Sequence, residues 1–261
     1  MLAKDVATIL NLNPFESPFD IYLKLKYQVK LDTTEIQASR LLKPLIQKLF
    51  EEQHPYKVIQ EETKSIGSIP IITNYTLLEP PAILITTASG LFSDTRHLWD
   101  SLPEYKKLEA LLSLHAAKTD KGYVAALIGS QGFKSFEVTY EPQVVQDAIS
   151  FAERWYLEYI LGDKIPSVTV SQYIRYIPIE DRAVELDEDV IPIIEEYLRK
   201  QDEKGKLEEE LEVLKNQIIM KMNLSSLAIV GDYEISYNLI ERKGYYVKPT
   251  TIRRFKITKR K

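Results

Sequence analysis

Cysteine is absent from the 261 residues, which excludes disulfides and thiolate metal sites and makes an intracellular compartment the simplest setting. Histidine is scarce, and His54, His97 and His115 lie far apart without the spacing of a metal motif. No apolar run approaches the length of a membrane span, and the first residues lack a secretory signal pattern. A general coat of positive charge is also missing, because the net charge is −4; a local basic patch remains compatible with that sum. What is present, 44% hydrophobic and 28% charged residues, is ordinary globular material able to bury a sizeable core.

Periodicity divides the first two thirds into short elements. Residues 3–10 read as a helix, and Ser17-Pro18 opens an amphipathic helix carrying Phe19, Tyr22, Leu23 and Lys26. Thr33-Thr34-Glu35 opens a third, with Ile36, Leu41, Leu42, Leu45, Ile46, Leu49 and Phe50 as its buried face and Pro44 as a local kink. Strand-like runs follow at 57–59, 69–72 and 82–87. Glu79, beside Pro80-Pro81, reads as a solvated carboxylate at a hairpin tip, and Glu51, Glu52, Glu61 and Glu62 as a solvated helix face and loop. A helix over 103–117, two strands over 122–129 and 134–139, and a long helix over 142–161 complete this region.

Composition then changes. Residues 180–189 are acidic, and 189–222 read as one long charged helix or a pair broken near Gly205. Leu207, Leu211, Leu214 and Ile218 form a heptad stripe too short for a coiled coil, so it reads as packing within the chain. The end alternates like strands and is basic. From Glu241 onward nine basic residues face one acid, with Tyr245, Tyr246 and Phe255 interleaved. Such a pattern suits phosphate contact and base stacking, and it also suits neutralisation of the acidic stretch. The division expected is a core over 1–170, a charged helical arm over 171–222 and a basic strand-rich segment over 223–261.

The order of these elements is familiar. The opening AKDVATILNLNPFESPFDIYLKLK, the hairpin IPIITNYTLLEPPAILITTASG and the segment LPEYKKLEALLSLHAAKTDKGYVAALIGSQGFKSFEV together resemble the YqaJ and lambda-exonuclease branch of the PD-(D/E)xK nucleases. The strand-rich stretch VGDYEISYNLIERKGYYVKPTTIRRFKI resembles the end of the same proteins. The resemblance implies an α/β fold: a mixed central sheet flanked by helices, a restriction-endonuclease-like core, with a helical arm and basic C-terminal strands added. It also implies a chemistry in which carboxylates on a helix and two strands hold divalent cations that activate water, with a lysine beside them.

Carried over position by position, those side chains are missing. The family's helix Gly-x-x-x-Glu falls on Ser39 and Lys43, and its hairpin Asp falls within Asn74-Tyr75-Thr76. Its Glu-x-Lys falls on Leu84 and Thr86, and its Tyr-x-x-Gln on Tyr105 and Leu108; the Gly-Gly-Ser phosphate element has no counterpart. The expectation is therefore a chain that is not an enzyme, with no cofactor and no metal. It is a relative of a phage-type recombination exonuclease that acts by binding DNA or a recombination or host protein partner. DNA contact is assigned to Arg242, Lys243, Lys248, Arg253, Arg254 and Lys256. Two alternatives stand beside it: an active metal-dependent DNA exonuclease with migrated ligands, and a viral interaction module or inhibitor without DNA affinity. No membrane partner is expected, self-association follows from the resemblance, and the setting is the cytoplasm of a bacterial or phage-infected cell.

Overall fold

A computed structural model describes residues 1–30, 34–90, 99–178, 183–223 and 225–238, with only the backbone of Glu35 and Ser130. The chain divides into two compact units, Met1–Ile179 and Glu180–Lys261.

The first unit is built on a five-stranded sheet in sequential order, β1 (Lys57–Ile66), β2 (Ile71–Glu79), β3 (Ala82–Ser89), β4 (Lys121–Ile128) and β5 (Gly132–Thr139). The pairings β1–β2, β2–β3 and β4–β5 are antiparallel, whereas β3–β4 is parallel. A parallel pair needs a crossover, and helix α4 (Glu104–Ala117) lies within that connection. The sheet is thus mixed and flanked by helices, as the sequence implied. β3 and β4 are central strands apolar on both sides, which gives their near-continuous hydrophobic runs. β1 is an edge strand, and its exposed charges protect it from further pairing.

Helices α1 (Ala3–Ile9), α2 (Pro18–Lys26), α4 and α5 (Pro142–Trp155) contribute to a large core. Ile83 and Ile85 of β3 belong to that core. Ser17 caps α2: its hydroxyl accepts from the Asp20 N–H at 3.2 Å, while Asp20 accepts from the Ser17 N–H at 2.8 Å, and Pro18 fills the first turn. On α5, Val145, Ala148, Ile149, Ala152 and Trp155 recur at helical spacing and are all buried. Beyond Trp155 the helix widens into π-type turns over Tyr156–Leu161.

Helix α3 (Thr34–Gln53) contributes to a second, smaller core with Ile46, Phe50, Leu78, Leu84 and Tyr123. Its buried face is narrower than the apolar spacing predicts. Leu41 and Leu45 are exposed, at 81% and 46%, because at helical spacing they turn away from the face that carries Ile46 and Phe50. Glu61 and Glu62 lie on β1 and not on a helix or loop.

The second unit consists of α6 (Ile191–Met222) and a hairpin of β6 (Leu227–Val230) with β7 (Tyr233–Ser236). Between the two readings of the charged segment the structure selects one helix, unbroken at Gly205. Leu207, Leu211, Leu214 and Ile218 are between 44% and 65% exposed, so among the described residues the stripe is not packed as expected. No described helix is long and apolar enough to cross a membrane.

Candidate functional site

The face of the sheet beneath α3 carries the positions that the resemblance assigns to catalysis. Cross-strand pairing places Glu61, Thr76, Leu84, Tyr123 and Glu137 in one row, strand by strand, and directly opposed side chains share a face. Two residues along, Thr63 pairs with Asn74, and Thr86 with Ala125 and then Ser135. Strict alternation puts Leu84 and Thr86 on this face and Ile85 on the other. Leu84 accordingly packs with Ile46 and Phe50, and Ile85 belongs to the larger core.

Helix α3 is tied to this surface by polar contacts along its length. The Ser39 hydroxyl accepts from the Ala88 N–H at 3.3 Å, and Gln47 Nε2 donates to Thr76 Oγ1 at 3.2 Å. Between them, Lys43 Nζ lies 2.6 Å from Glu61 Oε2, with the lysine side chain 30% and the glutamate 59% exposed. On the edge of the same face Thr63 donates to the Asn74 carbonyl oxygen at 2.7 Å.

The far end of α3 is aromatic. Phe50 stacks on His54 at 4.4 Å and lies 5.2 Å from Tyr123. His54 Nε2 stands 2.8 Å from Ser135 Oγ. Tyr123 donates to Glu137 Oε2 at 3.1 Å, and burial is the leading cause that pushes its phenol up to about 12. The Lys121 ammonium, 3.0 Å from Glu137, holds that carboxyl below its usual value.

Of the five substituted family positions, the structure brings Lys43, Leu84 and Thr86 to this cleft. Tyr75 turns to the opposite face, where it is 2% exposed and its hydroxyl donates to Glu62 Oε2 at 3.1 Å. Burial is the first cause that raises the Tyr75 phenol. Leu108 is buried in the core that contains α1, α4 and α5. Arg242, Lys243, Lys248, Arg253, Arg254 and Lys256, together with His97, lie outside the described residues.

Sequence reasoning missed Glu61 and Gln47 as parts of this cleft. The signal was there in alternation: on an edge strand, Glu61 and Thr63 must face the same way, opposite Thr76 and Asn74. A second missed group surrounds Tyr173, whose hydroxyl donates to Glu16. Lys24 bonds the same carboxylate at 2.6 Å and its Nζ sits 4.7 Å over the tyrosine ring. Burial, together with that carboxylate, drives the Tyr173 phenol far above its usual range. Partners 157 residues apart leave no local trace in the sequence.

The implied divalent cation was tested against these donors. Hard cations need several carboxylate oxygens. Within the row under α3 the carboxylates are Glu61, taken by Lys43, and Glu137 at the opposite edge, taken by Lys121 and Tyr123. Among the described residues no three of His, Asp or Glu converge to hold a metal. The described donors do not fit the cation.

No family model matches the chain. In sequence it is 23% identical over 248 residues to the uncharacterized protein YqaJ of Bacillus subtilis (strain 168), covering 88% of this chain and 77% of that protein. In structure it superposes with TM-score 0.50 at 7% identity on LHK-Exo in complex with dAMP, covering 61% of this chain and 87% of that one. LHK-Exo is an alkaline exonuclease from Laribacter hongkongensis. A phage-related exonuclease from Haemophilus somnus 129PT matches at TM-score 0.45 and 8% identity, over 60% of this chain and 92% of that one. The class this defines is the mixed α/β fold of the exonucleases. In sequence the chain is similar to YqaJ, and in fold it is similar to LHK-Exo. The expectation of a chain that is not an enzyme is overturned here, because the solved structures that share its fold are exonucleases.

Proposed function

We propose that the protein processes DNA, with the α3–β2–β3 cleft facing the phosphodiester backbone and the basic segment containing Arg242, Lys243, Lys248, Arg253, Arg254 and Lys256 as a second contact. The observation that carries this reading is the fold, which superposes on that of LHK-Exo in complex with dAMP. Support comes also from the cleft, whose exposed rim presents one lysine and several neutral hydrogen-bonding groups. Such groups suit phosphate contact without repelling it. The setting proposed for this action is the cytoplasm of a bacterial or phage-infected cell.

Exonuclease action is the enzymatic form of this reading. It needs carboxylates beyond those of the described cleft. The test is a 5′-labelled linear duplex incubated with the protein and magnesium or manganese, read by gel shift and by product length. The expected outcome is retardation in low salt, with shortening that stops in chelator. Failure to retard or shorten DNA under any of these conditions would sink the proposal.

A further inference from the structure

At the position where the resemblance calls for a metal-binding glutamate, the cleft carries an ammonium. Its counter-charge sits on the edge strand instead: Lys43 Nζ meets Glu61 Oε2 at 2.6 Å across the α3–β1 gap. The donors around it are neutral. Thr76 and Gln47 bond one another, Ser39 accepts a backbone N–H from β3, and Asn74 accepts from Thr63 through its carbonyl oxygen, which leaves its amide N–H groups for another acceptor.

A cleft that would hold divalent cations is rich in carboxylates and repels phosphate until the metal arrives. This one carries the opposite charge at its centre. We infer that Lys43 acts as a fixed cation for a DNA phosphate, so that DNA is held in this cleft without a divalent ion and Glu61 is the internal competitor that the phosphate displaces. The inference rests on the proposed DNA reading and adds how the backbone is held.

The exchange is physically easy. Glu61 lies on the outermost strand and is 59% exposed, so it rehydrates on leaving. Partly exposed ion pairs hold together by only about 0–1 kcal/mol. A phosphate oxygen accepting from the ammonium replaces one charge-assisted hydrogen bond with another. Release of counterions from the DNA then drives the exchange in a salt-dependent way. The ammonium on a long flexible stem can follow the phosphate without moving α3.

The experiment measures affinity of the full chain for a fluorescein-labelled duplex by anisotropy, across a salt series, in EDTA and again with calcium. Equal affinity in the two conditions is expected. Lys43→Met should weaken binding about eightfold in 0.1 M salt and reduce the slope of log K against log salt by about 0.9, the share of a single neutralised phosphate. Lys43→Arg should restore both, and Glu61→Gln should tighten binding by removing the competitor. Thermal melts of each variant check that the fold is kept; both side chains are partly exposed, so no loss is expected. Binding that requires the divalent ion, or a Lys43→Met protein with unchanged affinity and slope, overturns the inference and leaves the DNA reading standing. Absence of binding by the parent protein in every condition overturns both.

Discussion

Leu84 holds as core the position where the resemblance implies an acid. It is fully buried between Ile46 and Phe50 of α3 and Tyr123 of β4. Truncation to alanine leaves a cavity that the two-sided packing of a central strand cannot close, so Leu84→Ala should destabilise the first unit by about 2–5 kcal/mol. Leu84→Glu, which restores the acid of the family motif, should cost more than the alanine change, since a carboxylate would be held away from water without a partner. Urea unfolding followed by tryptophan fluorescence measures both. A glutamate variant as stable as the parent would mean that water reaches this row. Thr86, two residues along and half-exposed, stands where tolerance begins.

At the scale of elements, the β1–β2 hairpin is fastened to α5 by one carboxylate. Glu153 Oε1 accepts from the Ser68 N–H at 2.6 Å and from the Ser68 hydroxyl at 2.7 Å. The turn beside it requires Gly67, whose φ is +79° and whose added Cβ would approach Glu153 Oε1 to 3.1 Å. The two Ser68 donors hold the Glu153 carboxyl below its usual 4.5. A lowered folded-state value means that this stability is present above pH 4.5 and is lost as pH falls through the folded-state value. Glu153→Gln should therefore lower stability by about 1 kcal/mol at pH 7 and progressively less towards pH 3. Melting curves of parent and variant across that range check it, and a pH-independent gap would refute the link.

Legibility in the sequence followed locality. Helices α2 and α5 were readable because a capping serine and a regular apolar stripe act within a few residues. The mixed sheet came through the family resemblance, but its register did not, since pairings such as Leu84 with Tyr123 join distant segments. The stripe of α3 was read too wide because apolar count alone included Leu41 and Leu45, which helical spacing turns away from Ile46 and Phe50. Gly205 did not break α6, since a helical glycine costs only about 1 kcal/mol. Ion pairs four residues apart offset part of that: Arg199 with Glu203, Lys206 with Asp202, and Lys204 with Glu208. Lys43 was legible as a departure from the motif, but its bond to Glu61 was not, because helix and edge strand meet only in the fold.

For the whole molecule, charge is divided unevenly along the chain: a net −4 coexists with a strongly basic end. If that end binds phosphates, ending the chain after Thr251 removes Arg253, Arg254, Lys256, Lys259, Arg260 and Lys261. The salt slope of DNA binding should then fall by up to about 5, at roughly 0.9 for each phosphate no longer neutralised. The melting temperature of the first unit should stay unchanged. Anisotropy salt series on the two chain lengths measure this, and equal slopes would return the basic end to neutralising the acidic stretch. The second unit also supplies a ruler. A helix of 32 residues measures about 48 Å from end to end, the rise of roughly fourteen base pairs of duplex. A straight duplex touching both Ile191 and Met222 must therefore be longer than one full turn of the double helix, which sets a minimum oligonucleotide length for any experiment meant to engage both ends of that helix.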